Sequence, residues 1–145
     1  MKQNAYTILS EIYDRLTDNE LYERWKDRSL KVLSAYPHLR SGIDAACGSG
    51  FFTIAQKKAG YKVTGVDFCR EMLDKAQANA LKENLNITFL EQDIANLKVF
   101  EKVDYITVIN DGLNYISNEK LEKAFRNFYK ALNAGGIVYF DFSTE

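Results

Sequence analysis

The stretch IDAACGSGFFTIAQKKAGYKVTGVDFC, residues 43–69, contains the pattern that decides the fold. The short apolar run GIDAAC predicts a buried strand, and a glycine-rich turn follows it. We predict a helix from about Ser49 to Ala59 and then a second strand, YKVTGVD, which ends at Asp67. A strand, a crossover helix and a further strand form the unit from which parallel sheets are built.

The same alternation continues to the end of the chain. An apolar helix stripe (Cys69, Met72, Leu73, Ala76, Ala80) is followed by two predicted strands, NITFLEQD and VDYITVIND. Ser117 can cap the next helix, NAGG supplies a left-handed stop, and IVYFDF is the fifth strand. We therefore predict an α/β fold with a doubly wound, Rossmann-like parallel sheet of five strands in the order 3-2-1-4-5.

Residues 1–40 precede this pattern and read as a helical lead-in. Apolar residues between Ala5 and Leu16 recur at helical spacing, and TDNE (residues 17–20) resembles a capping box that starts a second helix. That helix is expected to end near Tyr36, because the residue before a proline is pushed out of the helical region. We predict two parts, an N-terminal helical lid (1–40) and a core (41–145).

Composition narrows the function classes. The 145 residues carry 19 basic and 20 acidic side chains, well interspersed, with a net charge of −1. This balance argues against a general nucleic-acid or membrane-surface binder. No apolar run resembles a signal peptide or a membrane span, so we expect a cytoplasmic protein. Two cysteines and one histidine provide neither a disulfide framework nor a plausible metal site.

The candidate site lies at the carboxyl ends of the first two strands. Gly48 and Gly50 can let a ligand approach the backbone closely, and Asp67 ends the next strand 19 positions after Gly48. At this spacing an acidic side chain can meet ribose hydroxyls. Alternatively, the turn is ordinary punctuation and Asp67 is the N-cap of the following helix.

Two phosphate-binding patterns are absent. A dinucleotide fingerprint needs a third glycine, and Thr53 stands at that position. The Gly-Lys-Ser/Thr sequence of a phosphate-binding P-loop occurs nowhere in the chain. The pattern therefore suits a nucleoside without a pyrophosphate, such as adenosine joined to an amino acid.

As a set, the motifs between about Ser41 and Phe142 resemble the class I S-adenosylmethionine-dependent methyltransferases. IDAACGSG resembles the first family motif, GVDFCREML the second and FLEQDIANL the third. VDYITVINDGLNYI resembles the fourth strand and its loop, and LNAGGIVYFDF the passage into the fifth strand. The lead-in IYDRLTDNELYERW resembles small bacterial members that methylate amines or other small acceptors. S-adenosyl-L-methionine is the cofactor that this resemblance implies.

The resemblance also implies a set of cofactor-binding residues. Those expected along the methionine portion are Asp44, Ala46, Cys47, Gly48 and Gly50. Asp67 would bind the ribose, and the residues expected beside the adenine are Phe68, Met72, Asp93 and Ile94. Asn110 and Asp111 would lie near the methionine amino group, and Tyr13 and Trp25 near the lid. Ala46 departs from the family, because many members have glycine there.

Structural explanations compete for several of these residues. Tyr13 and Trp25 lie on apolar helix faces and could be core residues, Asp93 could cap a turn, and Ile94 could be core. The sequence nominates no catalytic residue, and the acceptor is expected to be a small-molecule amine or hydroxyl. A non-catalytic nucleoside- or partner-binding module is the alternative function, and an NAD-dependent oxidoreductase is a weaker one.

The end of the chain carries a further expectation. Family members continue past the fifth strand with another helix and an antiparallel hairpin, whereas this chain stops at Glu145. We therefore expect a core truncated after strand 5, whose free apolar edge IVYFDF invites pairing with a second copy.

Overall fold

The computed structural model describes residues 19–109 and 116–141. Within them the helices are α1 (Asn19–Ser34), α2 (Phe51–Lys58), α3 (Arg70–Lys82) and α4 (Asn118–Ala131), and Ile94–Asn96 forms a short 3₁₀-helix. The strands are β1 (Ser41–Ala45), β2 (Lys62–Asp67), β3 (Thr88–Glu91), β4 (Val103–Val108) and β5 (Leu132–Phe140). Strands and helices alternate from β1 onward, as predicted.

The five strands form one parallel sheet in the order β3-β2-β1-β4-β5. This order confirms the predicted doubly wound topology. The connection direction reverses at β1, because β2 lies on one side of it and β4 on the other. Ligands of such sheets bind beyond the carboxyl ends of the strands at this reversal.

Apolar side chains cover both faces of the sheet. On one face, Ile43 and Ile106 pack with Ala124 and Phe128 of α4 in the largest cluster of buried residues. On the other face, aromatic and aliphatic clusters join the sheet to α1, α2 and α3. Because side chains alternate along a strand, Tyr105 and Thr107 of β4 lie on the opposite face from Ile106.

One predicted helix end agrees with the structure and another differs from it. α1 ends at Ser34, close to the predicted end near Tyr36. α4 ends at Ala131, and Leu132 is already extended and pairs with Val103. NAGG is therefore no helix stop: it forms a bulge in β5, where Gly135 has a φ of 82°. Pairing with β4 ends the helix before the glycines are reached.

Within residues 19–109 and 116–141, no helix combines the length and apolar character that crossing a membrane requires. The same residues contain no group of three or more metal-ligating side chains.

Candidate functional site

The glycine-rich turn after β1 has a left-handed backbone at three positions. The φ angles are 55° at Ala46, 55° at Gly48 and 87° at Gly50. Glycine adopts such angles without strain, whereas an alanine there costs roughly 1–2 kcal/mol. Ala46, which stands where many members of the resembled family have glycine, therefore has a strained backbone conformation. A hydrogen bond from the Cys47 amide to the Val66 carbonyl (2.9 Å) fixes the turn against β2.

Asp67 connects this turn to the end of β2. Its Oδ2 accepts a hydrogen bond from the Gly48 amide and its Oδ1 accepts one from the Cys69 amide, both at 2.9 Å. Burial raises the pKa of this carboxyl above its ordinary value, and the backbone donors oppose that rise. Each oxygen keeps a further lone pair for a ligand hydroxyl. The N-cap of α3 is Cys69, so Asp67 is not that cap.

Phe68 and Met72 flank the turn. The Phe68 side chain is 56% exposed, which is unusual for a large apolar residue between two buried ones. Met72 approaches the turn closely, since its Cε lies 3.1 Å from where a Cβ on Gly48 would be. An exposed ring and a thioether beside a carboxylate form a surface suited to a flat, polar-edged ligand.

Asp44 lies beneath the turn and is only 1% exposed. Its Oδ2 accepts a hydrogen bond from the Thr53 hydroxyl (2.6 Å) and its Oδ1 accepts one from the Thr107 hydroxyl (2.9 Å). Burial raises the pKa of Asp44 to about 6, although the two hydroxyls oppose the rise. Burial likewise raises the pKa of the Cys47 thiol. The Asp44 side chain thus faces the interior.

Asp93 and Ile94 follow β3, and both have structural roles. Asp93 caps the 3₁₀-helix, since its Oδ1 accepts a hydrogen bond from the Ala95 amide at 2.9 Å. Ile94 is buried in the main core cluster. The structural explanations given above therefore account for both residues, and contact with a ligand remains a prediction.

Trp25 belongs to an aromatic cluster on α1 and α2. Its ring centroid lies 5.4 Å from that of Tyr22, which in turn stacks on Phe52 at 5.7 Å. This packing holds α1 against α2, and a contact between Trp25 and a ligand stays a prediction. Tyr13, Asn110 and Asp111 lie outside the described residues.

Sequence reasoning missed the polar residues behind the turn. Gln56 donates from Nε2 to Thr107 Oγ1 (3.0 Å) and accepts from the Tyr105 hydroxyl at Oε1 (2.8 Å). One signal was available: a threonine at the third-glycine position places a hydroxyl on the first turn of α2. Gln56 and Tyr105 gave none, because their contact depends on how α2 packs over β4.

Comparison with known proteins gives matches over this region. A family model described as a methyltransferase domain matches residues 43–136. A Geobacillus sp. (strain WCH70) protein, provisionally named a methyltransferase, is 34% identical over 94% of this chain and 57% of its own length. The malonyl-[acyl-carrier protein] O-methyltransferase of Pectobacterium atrosepticum is 30% identical over 94% of this chain and 50% of its own.

A solved methyltransferase structure also has the same fold. The crystal structure of an S-adenosylmethionine-dependent methyltransferase from Clostridium acetobutylicum superposes with a TM-score of 0.83 at 30% identity, covering 96% of this chain and 58% of that one. The matches to the curated relatives show that the chain spans about half of their length.

Proposed function

Because the chain belongs to the family of S-adenosylmethionine-dependent methyltransferases, we propose that it binds S-adenosyl-L-methionine at the glycine-rich turn and serves methyl transfer to a small-molecule acceptor. The observation that carries this proposal is the 2.9 Å hydrogen bond from the Gly48 amide to Asp67. It brings the turn after β1 and the acidic end of β2 into one site.

The residues around this bond fit the cofactor. Gly48 and Gly50 leave the backbone open, and Asp67 retains acceptor sites for two ribose hydroxyls. Phe68 and Met72 offer apolar surface for the adenine, with Asp93 and Ile94 at the adjacent end of β3. Ala46 and Cys47 would border the methionine portion. Asn110, Asp111, Tyr13 and Trp25 complete the proposed set through the family resemblance.

The contribution of the protein is chiefly geometric. When bound, the cofactor supplies an activated methyl group that a lone pair on the acceptor nitrogen or oxygen takes by in-line displacement, leaving S-adenosylhomocysteine. Asp67 and the glycine turn would fix the donor in one orientation, so that the acceptor meets the methyl group at the required angle. Water must also be kept from the site, and the aromatic cluster of α1 and α2, whose Phe51 and Phe52 directly follow Gly50, would be one apolar cover.

The acceptor class that we propose is an amine or a hydroxyl on a small molecule. The relative from Pectobacterium atrosepticum is named an O-methyltransferase, which supports an oxygen acceptor, although the oxygen that a malonyl group offers is a carboxylate and not a hydroxyl. The lead-in resembles members that methylate amines. A screen of both acceptor classes, detecting S-adenosylhomocysteine formation, distinguishes the enzyme from a non-catalytic nucleoside-binding module, which would bind the cofactor without turnover.

Titration calorimetry with S-adenosylmethionine and S-adenosylhomocysteine tests the site. Asp67→Ala should weaken binding by about 1.5–3 kcal/mol, or about 10- to 150-fold, because charge-assisted hydrogen bonds are lost. Asp74→Ala is the matched control, since Asp74 is an exposed acid on α3. An unchanged dissociation constant for Asp67→Ala would remove Asp67 from the site, and an equal loss in Asp74→Ala would indicate a general charge effect.

We further propose that two copies can pair through β5. Within residues 19–109 and 116–141, β5 has β4 as its one neighbour in the sheet, and no further strand of these residues pairs with its other side.

A further inference from the structure

Five buried polar side chains form a continuous chain of hydrogen bonds beneath the glycine-rich turn. The Tyr105 hydroxyl donates to Gln56, Gln56 donates to Thr107, and Thr107 donates to Asp44. Thr53 donates to the other Asp44 oxygen. Each of the five is at most 1% exposed, and no polar atom among the buried side chains of residues 19–109 and 116–141 lacks a partner.

The hydrogen bonds all point in one direction, toward the Asp44 carboxylate. An ionised carboxylate only accepts, so it satisfies both threonine hydroxyls at once. A protonated Asp44 would have to donate to one of them. Suppose that Asp44 donated to the Thr107 oxygen, which already accepts from Gln56. The hydroxyl proton of Thr107 would then have no acceptor within this series of hydrogen bonds. The observed arrangement, in which each carboxyl oxygen accepts from one threonine hydroxyl, is therefore the one expected of an ionised Asp44.

The surroundings of Asp44 make a buried negative charge costly. Other titratable groups that act on it or feel its charge are Asp67 on β2, Cys47 in the turn and Tyr105 on β4. In the described part of the chain, neither Asp44 nor Asp67 has a lysine or arginine partner. Two buried acids with no basic counter-ion favour a ligand that is itself positively charged.

We infer that Thr53, Thr107, Gln56 and Tyr105 are positioning residues that hold the Asp44 carboxylate ionised beneath the turn, where its charge favours the cationic S-adenosylmethionine over neutral S-adenosylhomocysteine. The inference rests on the proposed function. It gives Asp44 an electrostatic role without contact with the ligand, since this side chain is only 1% exposed beneath the turn. The expected benefit is easier exchange of product for fresh cofactor.

Calorimetry between pH 5 and 8 tests the inference. For the unaltered chain, affinity for S-adenosylmethionine should fall about tenfold as the pH is lowered through 6, because Asp44 becomes protonated, and affinity for S-adenosylhomocysteine should change less. Binding of the cationic ligand near pH 6 should also release protons, seen as a heat that depends on the ionisation enthalpy of the buffer. Asp44→Asn keeps the side-chain shape and should reduce the pH dependence of S-adenosylmethionine binding to that of S-adenosylhomocysteine, since Asp67, which would meet the ribose of both ligands, is unchanged.

The threonine variants separate positioning from packing. Thr107→Val removes one donor to the carboxylate, so the midpoint of the pH profile should move upward, and Thr107→Ser should restore it. Thr64→Val makes the same change on β2, outside the chain of hydrogen bonds, and is the matched control. If Thr107→Val does not fold, Thr53→Val removes the other donor and should cause the same upward movement.

The outcomes are distinguishable. If the unaltered chain binds neither ligand at pH 8, the proposed function fails and the inference fails with it. If both ligands bind but Asp44→Asn keeps the original pH profile, the inference alone is overturned. Equal pH dependence for the two ligands overturns it as well, and so does a Thr107→Val profile that matches that of Thr64→Val.

Discussion

Single residues in the glycine-rich turn serve two requirements, backbone conformation and close packing. Gly50 has a φ of 87°, and a Cβ there would lie 3.0 Å from the Cβ of Ala76 on α3. Gly60 has a φ of 102°, but a Cβ there would meet nothing within 4 Å. The two glycines therefore share the conformational requirement and differ in the packing one.

Gly50→Ala should lower the free energy of unfolding more than Gly60→Ala. Both variants incur the left-handed cost of roughly 1–2 kcal/mol and gain similarly from a stiffer unfolded chain. Only Gly50→Ala also pushes α3 away from the turn, which we expect to add about 1 kcal/mol. Urea unfolding at pH 7 measures the difference, and equal losses would show that α3 yields without cost.

For single residues, the sequence was sufficient to predict the contacts that follow from the order of the strands. Gly48 follows β1 and Asp67 ends the neighbouring parallel strand β2, so their proximity follows once the strand order is known. The contacts of Asp44 with Thr53 and Thr107 could not be predicted. They depend on side-chain packing between α2, β1 and β4, across as many as 63 positions of sequence.

Among the elements, the starts of three strands are joined by one side chain. The Asp104 carboxylate on β4 accepts hydrogen bonds from the Arg40 and Ser41 amides at the start of β1 (2.8 and 3.1 Å). It also accepts one from Asn133 in the β5 bulge at 3.0 Å. The Asn133 hydrogen bond, followed by the two amides and the charge of His38, lowers the pKa of Asp104.

This lowered pKa makes stability depend on pH. A carboxyl with a lower pKa in the folded state stabilises the fold above its unfolded pKa, near 3.9, and this contribution is lost as the pH falls through the folded value. Asp104→Asn should therefore lower the free energy of unfolding at pH 7 by less than about 1 kcal/mol, because solvent screens this exposed carboxylate. Its stability should also be less sensitive to acid than that of the unaltered chain below about pH 4. Urea unfolding from pH 2 to 7 measures both.

The control for this prediction is Asp74→Asn, which changes an exposed acid on α3. If the acid sensitivity of Asp74→Asn falls as much as that of Asp104→Asn, the effect comes from net charge, and the hydrogen bonds of Asp104 contribute nothing. The slope of stability against pH in the unaltered chain is no test of Asp104 above pH 4, because burial raises the pKa of Asp44 to about 6 and also raises that of Asp67.

The order and type of the elements were predictable because apolar runs and helical stripes alternate so regularly. The residues at which the elements begin and end were less predictable, and the connection from α4 to β5 shows why. Local chemistry favours a helix that stops at the glycines of NAGG, but Leu132 gains a strand partner in Val103. Tertiary pairing thus ends the helix at Ala131, four residues before the first glycine, and no local pattern encodes that pairing.

For the whole molecule, the important feature is that β5 is an edge of the sheet in the described part of the chain. The Asp141 amide donates to Val108, so backbone groups two and four residues earlier, at Tyr139 and Ile137, also face β4. Those of Val138 face away from β4. An edge strand bearing an apolar run is a template for a second strand.

We therefore expect concentration-dependent self-association of the 145-residue chain, seen by light scattering as a mass rising from 16.6 kDa toward twice that value. Val138→Pro removes an outward amide, which an edge strand tolerates, and should keep the protein monomeric without loss of the β4 pairing. Val138→Thr keeps that amide and a β-branched shape, so it should still associate. A monomer at the highest concentration reached would contradict pairing through β5, and so would association that survives Val138→Pro in a folded protein. Either result would leave the proposed binding site unaffected, because Asp67 lies three strands away from this edge.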